Sequence, residues 1–269
     1  MQKETFLKDP RLPFVECRYS RNSRSIFKPH MHTAFSIGAV DQGLVHYTVG
    51  NRAATLAVGS LALINPEALH SCNALGQEGR SYYMLHLDVG WCLRVQKSLW
   101  DIDAFAEVQD IRLDDNDLYH QYCRTMDQLM NVQCHLQEKE HLMYELVSNV
   151  FLRACAPQTE RPDEEKSIEL LKELLRADLR KDLPLDSLAR ELGANPYTLL
   201  RRFKAVTGIT PHAYRMNCRI EQAKRYLQAG LDITETALEC GFFDQSHLHR
   251  HFKAMTTVTP QEYRINFIQ

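Results

Sequence analysis

Histidines are the residues here most able to do chemistry, and they fall in two groups. Near the C-terminus, GFFDQSHLHRHFK (Gly241–Lys253) carries His247, His249 and His251 at alternate positions. Near the start, PHMH supplies His30 and His32, INPEALH ends on His70, and YYMLHLDVG contains His86. Imidazoles serve as metal ligands, proton carriers and hydrogen-bond partners. A zinc site needs three or four ligands that converge on one point. In the C-terminal group convergence fails if the segment is helical, since each residue advances by about 100°. With Leu248 and Phe252 facing a core, His247 and His251 share one flank and His249 takes the other. The eight cysteines add no C-x-x-C pair, so they read as small hydrophobes rather than as a metal or disulfide framework.

The elements that would hold the C-terminal histidines occur twice. LARELGANPYTLLRRFKAVTGITPHAYR (Leu188–Arg215) matches ALECGFFDQSHLHRHFKAMTTVTPQEYR (Ala237–Arg264). Phe203 aligns with Phe252, Lys204 with Lys253, Thr210-Pro211 with Thr259-Pro260, and Tyr214-Arg215 with Tyr263-Arg264. One residue is inserted after Gly241 relative to Gly193. Each copy reads as helix, glycine turn, helix. Asn195 and Asp244 are suited to cap the second helices, and Pro196 fits a first helical turn. The expected apolar stripes are Leu199, Phe203 and Val206 in one copy and Leu248, Phe252 and Met255 in the other. The outward faces then hold Tyr197, Arg201 and Lys204, matched by Ser246, Arg250 and Lys253. Guanidinium, ammonium and hydroxyl groups suit a helix lying in the major groove, where Arg can hold guanine O6 and N7 together.

Charge supports this reading only locally. The net charge is −2, with 17 basic and 15 acidic residues from position 161 onward. Within 195–225, however, Arg201, Arg202, Lys204, Arg215, Arg219, Lys224 and Arg225 face one acid, Glu221. No apolar run is long enough to span a membrane, and MQKETFLKDPRLPFVECRYSRNSR has no secretory h-region, so a cytoplasmic protein is expected.

Gly241–Arg264 resembles the signature of the AraC/XylS family of bacterial transcription regulators, and the likeness extends over about residues 165–267. It implies two helix-turn-helix units joined by a long helix around Pro211–Leu227. Their second helices would enter successive major grooves about 34 Å apart. Carried over by position, the base-reading residues are Tyr197, Thr198, Leu200 and Arg201, and Gln245, Ser246, His247 and Arg250; Lys204 and Lys253 on the same outward faces are expected to contact the DNA at phosphates. Leu200 departs from the usual polar residue and suits a thymine methyl group. Thr256-Thr257 stands where the family has a glycine ending. The resemblance implies double-stranded DNA, RNA polymerase and a second copy of the chain as partners, and no catalysis.

Residues 25–112 read as short strands broken by Gly, Asn, Asp and Pro, an all-β barrel or sandwich. About residues 10–90 resemble the cupin-like sensor domain found ahead of such DNA-binding parts. On a strand His30 and His32 would share a face. With His70 and His86 they are expected to line a small-molecule effector pocket. A divalent metal on His30, His32 and His70 is the alternative. It lacks a carboxylate, because the cupin glutamate position falls on Ser36. Helical stripes follow at Leu118, Tyr122, Met126, Leu129 and Val132, and at Leu142, Leu146 and Val150. They would pack on the barrel or form a dimer interface. The expected order is a two-domain chain: all-β cupin-like barrel (1–112), helical segment (113–155), linker (156–165), and all-α double helix-turn-helix domain (166–269). The expected function is a sequence-specific transcription regulator, an activator, controlled by a small-molecule effector. A cupin-type metal sensor or metalloenzyme fused to a DNA-binding domain is the alternative.

Overall fold

The computed structural model describes residues 3–76, 78–155, 163–181 and 183–268. The chain divides into two compact units. The first comprises residues up to Ile26 and Thr33–Gln158; the second comprises Phe27–His32 and the chain from Thr159.

The first unit begins with strands β1 (Lys3–Leu7), β2 (Val15–Ser23), β3 (Phe35–Gln42), β4 (Val45–Val49), β5 (Arg52–Leu56), β6 (Ser60–Ile64), β7 (His70–Ala74) and β8 (Arg80–Leu87). Helix α1 (Val89–Leu99), strand β9 (Arg112–Asp114), and helices α2 (Asn116–Met130) and α3 (Leu136–Ala154) complete it. One sheet has the order β1-β2-β8-β3-β6-β9, the other β5-β4-β7. Every described ladder in them is antiparallel.

Strands β3 and β6 read as almost continuous apolar runs, FSIGAV and SLALI, because both of their faces are covered. Phe35, Ile37, Leu61 and Leu63 join the helices in one core, with Tyr122, Met126, Leu146 and Phe151. Val40, Ala62 and Ile64 point the other way and meet Val45, Tyr47 and Leu56 of the second sheet. Tyr119 and Tyr122 of α2 donate to the Val40 and Ile37 carbonyls, each at 2.8 Å. The helices that follow the strands thus share one core with them.

Two boundaries differ from the expected order. YYMLHLDVG is a strand only to Leu87. Asp88 then caps α1, accepting from Trp91 N at 2.8 Å, so a helix lies inside the stretch expected to be all strand. Strand β9 returns to pair β6 beyond residue 112. Val132 is 83% exposed because α2 ends at Met130, two residues short of it.

The second unit contains α4 (Asp163–Ala177), α5 (Leu185–Glu191), α6 (Pro196–Thr207), α7 (Pro211–Gln228), α8 (Ile233–Glu239), α9 (Gln245–Thr256) and α10 (Pro260–Ile268). Residues 156–162 of the expected linker lie outside the described residues; 163–165 are already helical. The core around α4–α7 gathers Leu171, Leu175, Leu188, Leu199, Phe203 and Tyr214, and it also contains Met31. Met31 N donates to Asn217 Oδ1 at 3.0 Å, and Asn217 Nδ2 donates to the Ala213 carbonyl at 2.7 Å. A six-residue segment from between β2 and β3 is therefore part of the helical unit. No helix of the described residues is long and apolar enough to cross a membrane.

Candidate nucleic-acid interface

The two repeats fold into the same frame by the same local chemistry. Helices α5 and α8 end in Schellman turns. Ala194 N bonds to Ala189 O and Gly193 N to Arg190 O, as Phe242 N bonds to Ala237 O and Gly241 N to Leu238 O. Gly193 and Gly241 supply the left-handed conformation, at φ +61° and +76°. Asn195 Oδ1 then accepts from Thr198 N at 3.3 Å, and Asp244 Oδ1 from His247 N at 2.6 Å, capping α6 and α9. At the far ends, Thr207 Oγ1 donates to the Phe203 carbonyl at 2.7 Å and Thr256 Oγ1 to the Phe252 carbonyl at 2.7 Å. Thr210 caps α7 through Ala213 N. Thr259 and Glu262 form a full reciprocal capping box on α10.

Those threonines correct the expected stripes. Val206 is 57% exposed, and Met255 is only half-buried. The buried fourth-turn positions are Thr207 and Thr256. A face recurring at 199, 203 and 207 follows the i, i+4 spacing, which Val206 misses by one residue. The threonine hydroxyls can occupy it because each is satisfied by its own helix.

What remains outward is polar. Arg201, Arg202 and Lys204 are exposed on α6; Gln245, Ser246, His249, Arg250 and Lys253 are exposed on α9. Thr198, Leu200 and His247 are half-buried, and the Tyr197 side chain lies outside the described residues. Among the described residues Arg201, Lys204, Arg250 and Lys253 take part in no ion pair. Gln245 Oε1 accepts from Thr234 Oγ1 of α8 at 3.3 Å, which orients its amide.

The rest of the basic run has other work. Arg215 is buried and donates to the carbonyls of Leu175, Asp178 and Lys181. Arg219 donates to the Leu179 carbonyl at 3.0 Å, and Lys224 pairs with Glu221 at 2.7 Å. Arg215 and Arg219 thus fasten the loop between α4 and α5, while the Lys224 pair stays within α7. The same loop rests on the second turn: a Cβ on Gly241 would come within 2.2 Å of the Leu179 carbonyl oxygen.

The C-terminal histidines are flank residues. The His247 and His251 rings lie 4.9 Å apart, edge to face, and both contact Phe242. Burial, with help from His247, Arg250 and His212, holds the His251 pKa below its usual 6.5. His249 is on the other, exposed side.

The N-terminal histidines do not share a strand. His30 and His32 lie in the Phe27–His32 segment of the helical unit, where no extended run alternates faces; the proline and the packing of Met31 set its course. His30 Nδ1 is 2.8 Å from the Lys28 carbonyl. His70 and His86 sit on β7 and β8 of the first unit. His70 Nδ1 is 2.9 Å from the Ala68 carbonyl, and His86 Nδ1 is 2.7 Å from Ser36 Oγ, directly across the β3–β8 ladder. The four residues thus divide between the units. Among the described residues no group of three His, Cys, Asp or Glu is placed to hold a metal ion.

Sequence reasoning missed a buried cationic pair in the first unit. Arg80 is 1% exposed and donates to the carbonyls of Ser25 and Cys72. Arg18 is buried against Glu4 at 2.8 Å. Both guanidiniums contact the Tyr82 ring. Alternation in ECRYS and GRSYYM offered the only signal, an Arg at an inward strand position.

Comparison with known proteins agrees with this frame. An AraC-like ligand binding domain matches residues 13–146, and a helix-turn-helix domain matches residues 188–266. The HTH-type transcriptional regulator YbfI of Bacillus subtilis (strain 168) is 27% identical over 92% of this chain and 91% of its own. The transcriptional activator RhaS of Pectobacterium atrosepticum is 25% identical over 84% of each. ToxT of Vibrio cholerae, solved with an unsaturated fatty acid bound, shares the fold at TM-score 0.67 and 15% identity, over 100% of this chain and 98% of that one. The chain belongs to the AraC family of transcriptional regulators. It is a DNA-binding regulator whose N-terminal part is a ligand-binding domain of the AraC type.

Proposed function

We propose that this protein is a cytoplasmic transcription activator that reads DNA with α6 and α9 and is switched by a small molecule bound in its first unit. The observation that carries the reading is the pair of outward faces, Arg201 with Lys204 and Arg250 with Lys253, at matching positions of two repeats. Arg201 and Arg250 would contact base edges, with Thr198, Leu200, Gln245, Ser246 and His247 beside them and the lysines on phosphates. RhaS, an activator, and ToxT, solved with a fatty acid, support activation and an apolar effector with an acidic head. Exposed Tyr144 and Leu152 on α3 suit pairing with a second copy, and RNA polymerase is the partner an activator requires.

The test begins with selection of binding duplexes from a random pool by the full chain. Arg201→Ala and Arg250→Ala are each expected to weaken binding to the selected duplex by about 1–3 kcal/mol. Thermal unfolding should barely move, since both side chains are exposed. Unchanged affinity in both variants rejects this reading face. Titrating long-chain fatty acids into the binding assay tests the effector class.

A further inference from the structure

We infer that Phe243 is a specificity-determining DNA contact, one that packs on a thymine methyl group where α9 enters the major groove. The inference rests on the DNA-reading role proposed for α9 and adds to it a residue of a different chemical kind.

Phe243 is the one-residue difference between the repeats. Gly193 and Gly241 correspond, as do the residues that follow them in the Schellman turns, Ala194 and Phe242. The caps Asn195 and Asp244 correspond as well. Between Phe242 and Asp244 stands Phe243, with no counterpart in the first copy. Phe242 is 3% exposed and fills the interior position, edge-to-face with His247 and tilted against His251. Phe243 has no room beside it and is 87% exposed, the largest exposure among the described bulky apolar side chains. Its backbone N–H donates to His247 Nδ1 at 3.3 Å, which fixes the turn that presents the ring.

The ring is held at the N-terminal end of α9, next to exposed Gln245 and Ser246. Residues at this end of a recognition helix are those that meet base edges. The exposed residues beside it on α9, Gln245, Ser246, Arg250 and Lys253, are polar or cationic, so the complement of this helix face is a nucleic acid rather than an apolar protein face. Within the major groove the apolar feature a Phe can cover is the thymine C5 methyl. The first copy offers the half-buried Leu200 for such a contact; the second offers Phe243.

The experiment uses the full chain and the duplex recovered by selection. Phe243→Ala is expected to lower affinity about tenfold with unchanged thermal unfolding, and Phe243→Leu to lose much less. The dependence on salt should keep its slope, because no ion pair is removed. Replacing thymines one at a time by uracil, which lacks the methyl, should weaken wild type about fourfold at one position and leave Phe243→Ala unaffected there. Phe243→Ala binding every duplex as wild type overturns the inference. If that variant also fails to activate transcription, the ring faces the polymerase instead, and the inference is equally wrong. An unaltered Arg250→Ala beside a weakened Phe243→Ala removes the proposed role of Arg250 and leaves this contact standing.

Discussion

The two helix-turn-helix copies share caps, turns and buried rings, yet they differ at their surfaces and at two turns. The first presents three cations, Arg201, Arg202 and Lys204. The second mixes an amide, a hydroxyl, an imidazole and two cations, and adds an exposed ring. The frame is set by residues that satisfy backbone groups and fill the core, so it tolerates this divergence. Two copies can then hold the same geometry while meeting different base sequences. The copies also differ in how tightly they close. Gly193 has no heavy atom within 4 Å of where a Cβ would sit, whereas Gly241 is pressed against the α4–α5 loop.

The largest expected effect tests the shared frame. Phe203 and Phe252 are both fully buried, each edge-to-face with a tyrosine, Tyr214 or Tyr263. Phe203→Ala and Phe252→Ala should each cost about 3–5 kcal/mol in chemical denaturation. A clear inequality would show that one copy carries the fold of the unit.

The glycines should separate the copies. Gly193→Ala should cost about 1 kcal/mol, the strain of a left-handed Ala. Gly241→Ala adds a collision with backbone and should cost about 2–5 kcal/mol. Equal unfolding free energies would mean that the loop simply yields. A smaller effect of opposite sign is expected at the end of α9. Thr257 holds φ +68° where the first copy has Gly208 at +79°. Thr257→Gly should stabilise by about 0.5–1 kcal/mol and raise the melting temperature by a few degrees.

The smallest effect is that of pH. The His251 pKa is lowered in the folded state, so below its ordinary 6.5 the unfolded chain binds more protons. Its contribution to stability is complete above about pH 6.5 and is lost as pH falls toward the lower folded value. His251→Gln should flatten that part of the melting-temperature profile. The first copy carries Arg202 in place of this histidine, and Arg202→Gln should leave the profile unchanged.

Much of the C-terminal frame was legible because local chemistry fixes it. Glycine at a helix end, Asn or Asp at the next cap, and Thr-Pro before a third helix each have one good structural reading. The stripes were less legible, since a threonine that bonds to its own helix can replace an apolar residue in the core. Arg215 and Arg201 look alike in composition, and only the facing loop makes one a structural fastener. In the first unit the strands were legible, but α1 was hidden behind the strand-like YYMLHLDVG, where a single Asp starts the helix. The division of His30 and His32 from His70 and His86 depends on contacts distant in sequence, which spacing does not encode.

One such contact bears on how the protein is made. Synthesis delivers Met31 long before the helices that receive it, and 186 residues separate it from Asn217. The first unit can assemble around its own strands while these few residues wait. Docking of Met31 is a distant closure, with an entropic cost that grows only slowly with the length of the intervening chain. A fragment starting at α4 would be missing a side chain from its own core. Such fragments should be softer than the same helices in the intact chain, and Met31→Ala in the intact protein should reproduce part of that loss.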